Sequence, residues 1–149
     1  MKLATKYQGE IEISQDQVIH FSSGIPGFQD EKEFVLLPFF EDMPYFILQS
    51  GQTTELAFVV VDPYPFFPEY QYKLTEAQIE SLKIEKQEDV ATFVILTLKE
   101  LFTDSTANLK GPLVINVKEK LGKQLILNDS AYETKHLLFN SLKEEESKC

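Results

Sequence analysis

Two stretches of this chain depart from simple alternation of apolar and polar positions. Leu56–Val61 reads Leu-Ala-Phe-Val-Val-Val, and Ala91–Leu98 reads Ala-Thr-Phe-Val-Ile-Leu-Thr-Leu. Short runs this apolar and this rich in β-branched residues predict strands buried on both faces. Around them the pattern is patchier. Leu3–Ile13 ends in the period-two run Glu10-Ile11-Glu12-Ile13 and carries Gly9 inside it, which predicts an opening hairpin with a bulge or bend. Gln17–Phe21, Phe34–Phe39 and Tyr45–Gln49 are further strand candidates, the second of them ended by Pro38. Leu113–Val117 and Gln124–Leu127 form a predicted hairpin with residues 118–123 as its turn. Phe102–Leu109 is polar and turn-like, and Glu41-Asp42-Met43-Pro44 is a turn.

A single helix stands out. Thr75-Glu76-Ala77-Gln78 is a capping box, and Ile79 and Leu82 form an apolar stripe behind it with Glu80 and Lys83 facing out. Leu137, Leu138 and Leu142 allow a second small amphipathic helix before a charged end. Many short strands at roughly ten-residue spacing, with no strand–helix alternation, point to a mainly β fold. The architecture expected is an antiparallel β-barrel-like single domain with one short helix. Residues 1–132 are assigned to the domain, and residues 133–149 to a tail, partly helical or disordered.

After Val61 the chain changes character. Asp62 to Tyr70 reads Asp-Pro-Tyr-Pro-Phe-Phe-Pro-Glu-Tyr. The three prolines cannot donate to a ladder and hold their predecessors out of the helical region. A segment both aromatic and proline-stiffened either seals an end of the core or presents a pre-organised apolar surface.

Composition narrows the function. The chain has 149 residues, 12 Phe and 6 Tyr, enough to bury a core. Its net charge is −10, and residues 30–89, with 13 carboxylates and 4 lysines, carry −9 of it. All 14 basic residues are lysine. An acidic chain without arginine is a poor direct reader of nucleic acid. No apolar run is long enough to span a membrane, no apolar leader opens the chain, and its one cysteine is Cys149, so a cytoplasmic protein is expected. The sequon Asn128-Asp129-Ser130 then reads as a chance match.

Catalytic sets do not assemble. His20 sits in an apolar strand, where a half-buried sheet role is expected, and His136 lies near the end. Gly24-Ile25-Pro26-Gly27 outlines a backbone clamp, but Asp30, Glu31 and Glu33 follow it and no base adjoins it, so it reads as a glycine turn. Glu85, Glu88 and Asp89 look like a solvated loop. No enzyme activity, metal or cofactor is expected. A small-ligand barrel or an enzyme of unknown reaction is the alternative.

The chain resembles the FliW family of flagellar assembly factors. The resemblance is carried by Phe21 with Gly24–Phe28, by Phe34–Leu37, by Leu56–Pro63 with Phe66-Phe67, by Asp104–Leu109, by Gly111–Asn116 and by Gln124–Leu127. Their order over most of the chain carries it; no single piece does. The resemblance implies a barrel-like fold and a non-enzymatic regulator. It implies binding to CsrA, a small RNA-binding dimer that represses flagellin mRNA, and alternate binding to flagellin, with a monomer expected when free. The acidity offers a physical reason, because a −9 segment docked beside a basic RNA-binding face would attract the repressor and repel phosphate. Aromatic anchors with polar rims carry most interface energy. On that rule the candidate contacts are Phe66, Phe67 and Tyr70, rimmed by Asp62 and Glu69, with Ile25 and Phe28 as second candidates. The same side chains could instead cap the core, and Asp104–Asn108 could be plain turn chemistry.

Overall fold

The computed structural model describes residues 1–39, 44–98, 100, 104–127 and 131–138. The turn at Glu41-Asp42-Met43, the sequon at Asn128-Asp129-Ser130, and Leu142 and Cys149 lie outside these residues.

The strands in chain order are β1 (Lys2–Thr5), β2 (Gly9–Glu12), β3 (Val18–His20), β4 (Glu33–Pro38), β5 (Tyr45–Ser50), β6 (Ala57–Val61), β7 (Val90–Thr97), β8 (Thr106–Ala107), β9 (Leu113–Asn116), β10 (Leu121–Gln124) and β11 (His136–Leu137). The helix α1 (Glu76–Ser81) lies between β6 and β7. The main sheet runs β7-β6-β5-β4-β3-β10-β9, and β9 pairs again with β7. That second pairing closes a seven-stranded barrel. Six of its joins are antiparallel and one, β3 with β10, is parallel. The expectation of an antiparallel barrel is met except at this join. An odd number of strands cannot alternate direction around a closed ring, so one neighbouring pair must run the same way.

The side-chain period of two explains both long apolar runs. Inward, Phe34, Leu48, Val60, Phe93, Leu113 and Ile115 fill the barrel with Phe21 and Ile25. Outward, three separate coverings bury the other faces. The β1–β2 hairpin lays Leu3, Ile11 and Ile13 over Val18, Val35, Leu37 and Ile47. Residues after β6, with Leu138, cover Val61, Val94 and Leu96. Leu82 and Ile84 cover Val114 and Leu125 beside α1. Strands β6 and β7 carry apolar residues on both faces because both of their faces are covered.

Local expectations fared unevenly. The capping box forms as read: Thr75 Oγ1 accepts from the Gln78 amide at 3.1 Å, and Gln78 Oε1 accepts from the Thr75 amide at 2.9 Å. The opening hairpin forms, with Gly9 at φ +67° facing Thr5 across the turn. The β9–β10 hairpin is shorter-looped than residues 118–123 suggested. Asn116 Oδ1 accepts from the amides of Lys118 and Glu119 at 3.0 and 3.1 Å, and Lys120 takes φ +58°, so the return strand starts at Leu121. The chain stays paired beyond it, since Leu125 and Leu127 donate to the carbonyls of Pro112 and Lys110. His20, the last residue of β3, is exposed rather than half-buried. Thr106–Ala107, expected as turn, is a strand between β7 and β11. His136–Leu137 pairs with that strand instead of forming a helix, and Leu138 is buried behind it, so packing extends past residue 132.

Candidate functional site

The segment from Asp62 to Tyr72 forms a strap across the outside of the barrel. Asp62 Oδ1 accepts from the Tyr64 amide at 3.1 Å, turning the chain as it leaves β6. The Pro63 carbonyl then accepts from the amides of Phe66 and Phe67 at 3.1 and 2.7 Å, and Tyr70 donates its amide to Phe67 at 3.0 Å. The prolines supply fixed φ angles, and these local bonds satisfy the backbone that the prolines leave outside any sheet.

Tyr70 is the anchor. It is 4% exposed, and its hydroxyl donates to the Leu109 carbonyl at 2.6 Å. Its ring meets Tyr132 edge-on, with centroids 4.7 Å apart. Next to it the Tyr72 hydroxyl hydrogen-bonds Thr92, and the Gln71 amide donates to the Tyr132 hydroxyl at 3.2 Å. Burial holds the Tyr70 hydroxyl far above its ordinary pKa, and the neighbouring Tyr72, Tyr64 and Tyr132 push it the same way. Burial also raises Tyr72, against a smaller opposing effect of its bond to Thr92, and raises Tyr45. The Tyr70 and Tyr72 hydroxyls act as neutral tethers near neutral pH.

Phe66 and Phe67 are half-buried. Phe66 packs beside Tyr45 at 6.0 Å, and Phe67 stands edge-on to His136 at 6.2 Å. The rings thus do both things the sequence allowed: they cap the outer cluster and keep one side open. Glu69 is exposed beside them, and Asp62 is half-buried at the strap's start. Five candidates, Asp62, Phe66, Phe67, Glu69 and Tyr70, therefore share one strap.

Ile25 and Phe28 belong elsewhere. Phe28 stacks edge-on to Phe58, near the start of β6, while the strap leaves from the end of β6. Ile25 is 2% exposed and lies in the barrel interior, so its side chain has no surface to offer. Gly24 at φ +65° makes that plug possible, because a Cβ there would stand 2.6 Å from the Gln29 backbone. The glycine turn reading of this loop holds.

Two grooves flank Tyr70. The first is lined by the strap from Phe66 to Gln71 and, across from it, by Leu109, Tyr132 and His136. Glu69 is its only carboxylate among the described residues. The second runs from Asp62 and Tyr64 past Tyr72 to Ile79, Ile84 and Glu85 beside α1. Tyr70 and Gln71 line both. Sequence reasoning did not place Tyr132 and His136 here. His136 Nε2 accepts from the Glu133 amide at 2.7 Å, which closes a local turn, and the Gln71–Tyr132 bond with the Phe67–His136 and Tyr70–Tyr132 ring contacts holds this segment against the strap. The available signal was a large amphipathic aromatic, Tyr132, at the end assigned to the domain, followed by Leu137 and Leu138 in the supposed tail, a combination that needs something to pack on.

A model of the FliW protein family matches residues 2–138. The flagellar assembly factor FliW of Geobacillus sp. (strain WCH70) is 52% identical over 139 residues, 93% of this chain and 96% of that protein. The flagellar assembly factor FliW of Bacillus subtilis (strain 168) is 48% identical over 136 residues, covering 91% and 95%. A crystal structure of the flagellar assembly factor FliW superimposes with a TM-score of 0.88 at 48% identity, covering 93% of this chain and 96% of that one. The match includes the barrel, the strap and β11, and the chain belongs to the FliW family of flagellar assembly factors.

Proposed function

We propose that this chain is a cytoplasmic, non-enzymatic regulator of flagellar assembly. It binds the RNA-binding translational regulator CsrA, relieves repression of flagellin mRNA, and alternately binds flagellin. Family membership over residues 2–138 carries the assembly role. The observation that supports partner binding is the strap: half-buried Phe66 and Phe67 held open on a pinned backbone, with a groove on either side of Tyr70. Half-exposed aromatics on a pre-organised segment are what interface anchors require.

The charge suits this role. CsrA must present a basic face to grip RNA. A docked partner of net charge −10 lowers the affinity of that face for phosphate wherever its acidic surface lies within about 8 Å of the RNA path at physiological salt. The effect is a coupling free energy and is reciprocal, so RNA must weaken binding of this chain by the same factor. The barrel-ligand reading gains nothing from the fold, because the interior is filled by Phe21, Phe34, Phe93 and the aliphatics around them.

The test is titration of this protein into a preformed CsrA–RNA complex at two salt concentrations. Release of RNA that weakens at high salt is expected. Release insensitive to salt would keep the regulator and remove the electrostatic account, and failure to bind CsrA or flagellin at low salt would overturn the proposal.

A further inference from the structure

We infer that the furrow beside α1 is the docking site for a basic amphipathic segment of a protein partner. The inference rests on the regulator reading for the identity of that partner and goes further by assigning its surface. The depression that starts at Asp62 and Tyr64 is continuous with a second one over α1, since both are lined by Ile79, Ile84 and Glu85. The combined furrow ends at Glu119 in the β9–β10 turn.

Its floor is apolar and open. Tyr64 is 41% exposed and Ile79 37%. The floor also has a backbone cause. Lys83 takes φ +53°, and the Ile84 amide donates back to the Ile79 carbonyl at 3.0 Å, which folds Ile84 against the end of α1. A side-chain-bearing residue in the left-handed region costs about 1 kcal/mol, and here it brings two isoleucines to one surface.

Its rim is acidic. Asp62, Glu76, Glu80, Glu85 and Glu119 line the furrow, against Lys73 and Lys83. Among the described residues, only Glu85 of those carboxylates has an ion pair, with Lys118 at 4.0 Å and both side chains exposed. An apolar floor with an unneutralised acidic rim is complementary to a helix or loop that alternates lysine or arginine with apolar residues. The groove on the other side of Tyr70 has an aromatic floor and only Glu69 as a carboxylate among the described residues, so it lacks that acidic rim.

The experiment measures binding of the full chain to purified CsrA at low and high salt. Glu80→Lys with Glu119→Lys reverses two exposed furrow charges; Glu33→Lys with Glu55→Lys makes the same net change on exposed residues outside it. The furrow variant should bind about tenfold more weakly at low salt, with the deficit shrinking at high salt, while the control loses much less. Ile79→Ala should weaken binding at both salts. Equal losses in the furrow variant and the control would show a response to net charge alone and overturn the site. Unchanged binding in the furrow variant, with an unchanged melting temperature, would also overturn the site while leaving the regulator reading intact. If the unaltered chain does not bind CsrA, the regulator reading fails and the furrow assignment fails with it.

Discussion

The inside of the barrel and the strap cluster outside it are both aromatic, yet they are built differently. The interior is Phe, Ile, Leu, Val and Ala, with no tyrosine among its residues. The outer cluster contains Tyr45, Tyr70, Tyr72 and Tyr132. A closed ladder satisfies the barrel backbone, so the interior needs only shape, and a hydroxyl there would be an orphan. The strap crosses the sheet without joining it. It is held by hydroxyl tethers to the Leu109 carbonyl and to Thr92, and by the Gln71 bond to Tyr132. The ladder makes the barrel rigid, whereas a few side-chain bonds hold a surface that remains half open. On the proposed function, that difference puts the fold's stability in one region and partner binding in the other.

The comparison breaks most violently at Phe21. The far end of its ring abuts Gly122, where a Cβ would stand 2.5 Å from Cζ. Phe21→Ala should cost about 3–5 kcal/mol, and Gly122→Val should prevent stable folding, both read by thermal melting. Phe67→Ala removes a half-buried ring and should cost about 2 kcal/mol while the chain stays folded. Its larger effect should be on partner binding, read as weaker capture of CsrA or of flagellin by a chain that still folds, because it empties the open side of the strap.

Tyr70→Phe tests the tethers. Losing the hydroxyl leaves the Leu109 carbonyl unpaired and should cost about 1–2 kcal/mol, a melting shift of a few degrees. It should also change the alkaline limb. Burial raises the pKa of folded Tyr70, whereas the unfolded residue titrates at its ordinary 10.0. The tether's contribution is thus complete below that pH, and above it the unfolded state loses its proton first, so stability falls as pH rises further. The fall should be shallower in Tyr70→Phe. The smallest effect is expected at Lys83, where glycine should relieve the left-handed backbone and raise stability by up to about 1 kcal/mol, seen as a higher urea midpoint.

What could be read from the chain follows the same division. Strands β4 to β7 were legible because their pattern is imposed by packing on two sides. The α1 cap was legible because Thr75 and Gln78 are local partners. The return of the β9–β10 hairpin was misplaced because Asn116 and a left-handed Lys120 set the turn, and neither is a glycine signal. Strands β8 and β11, two residues each, have no pattern of their own and exist only because each pairs with a neighbour. On the site, the strap announced itself through its prolines and rings. Its far wall, Tyr132 and His136, lies more than sixty residues from the strap's anchor, and only the fold joins them. Ile25, grouped with the candidates for its glycine loop, is buried in the barrel because Gly24 turns it inward.

Amide hydrogen exchange with and without saturating CsrA tests the division most directly. Slowed exchange is predicted along the strap, through α1 to Glu85 and over the β9–β10 turn, with the β1–β2 hairpin and the Ile25–Phe28 loop unchanged. Protection confined to that hairpin or that loop, with none from Asp62 to Glu85, would contradict it.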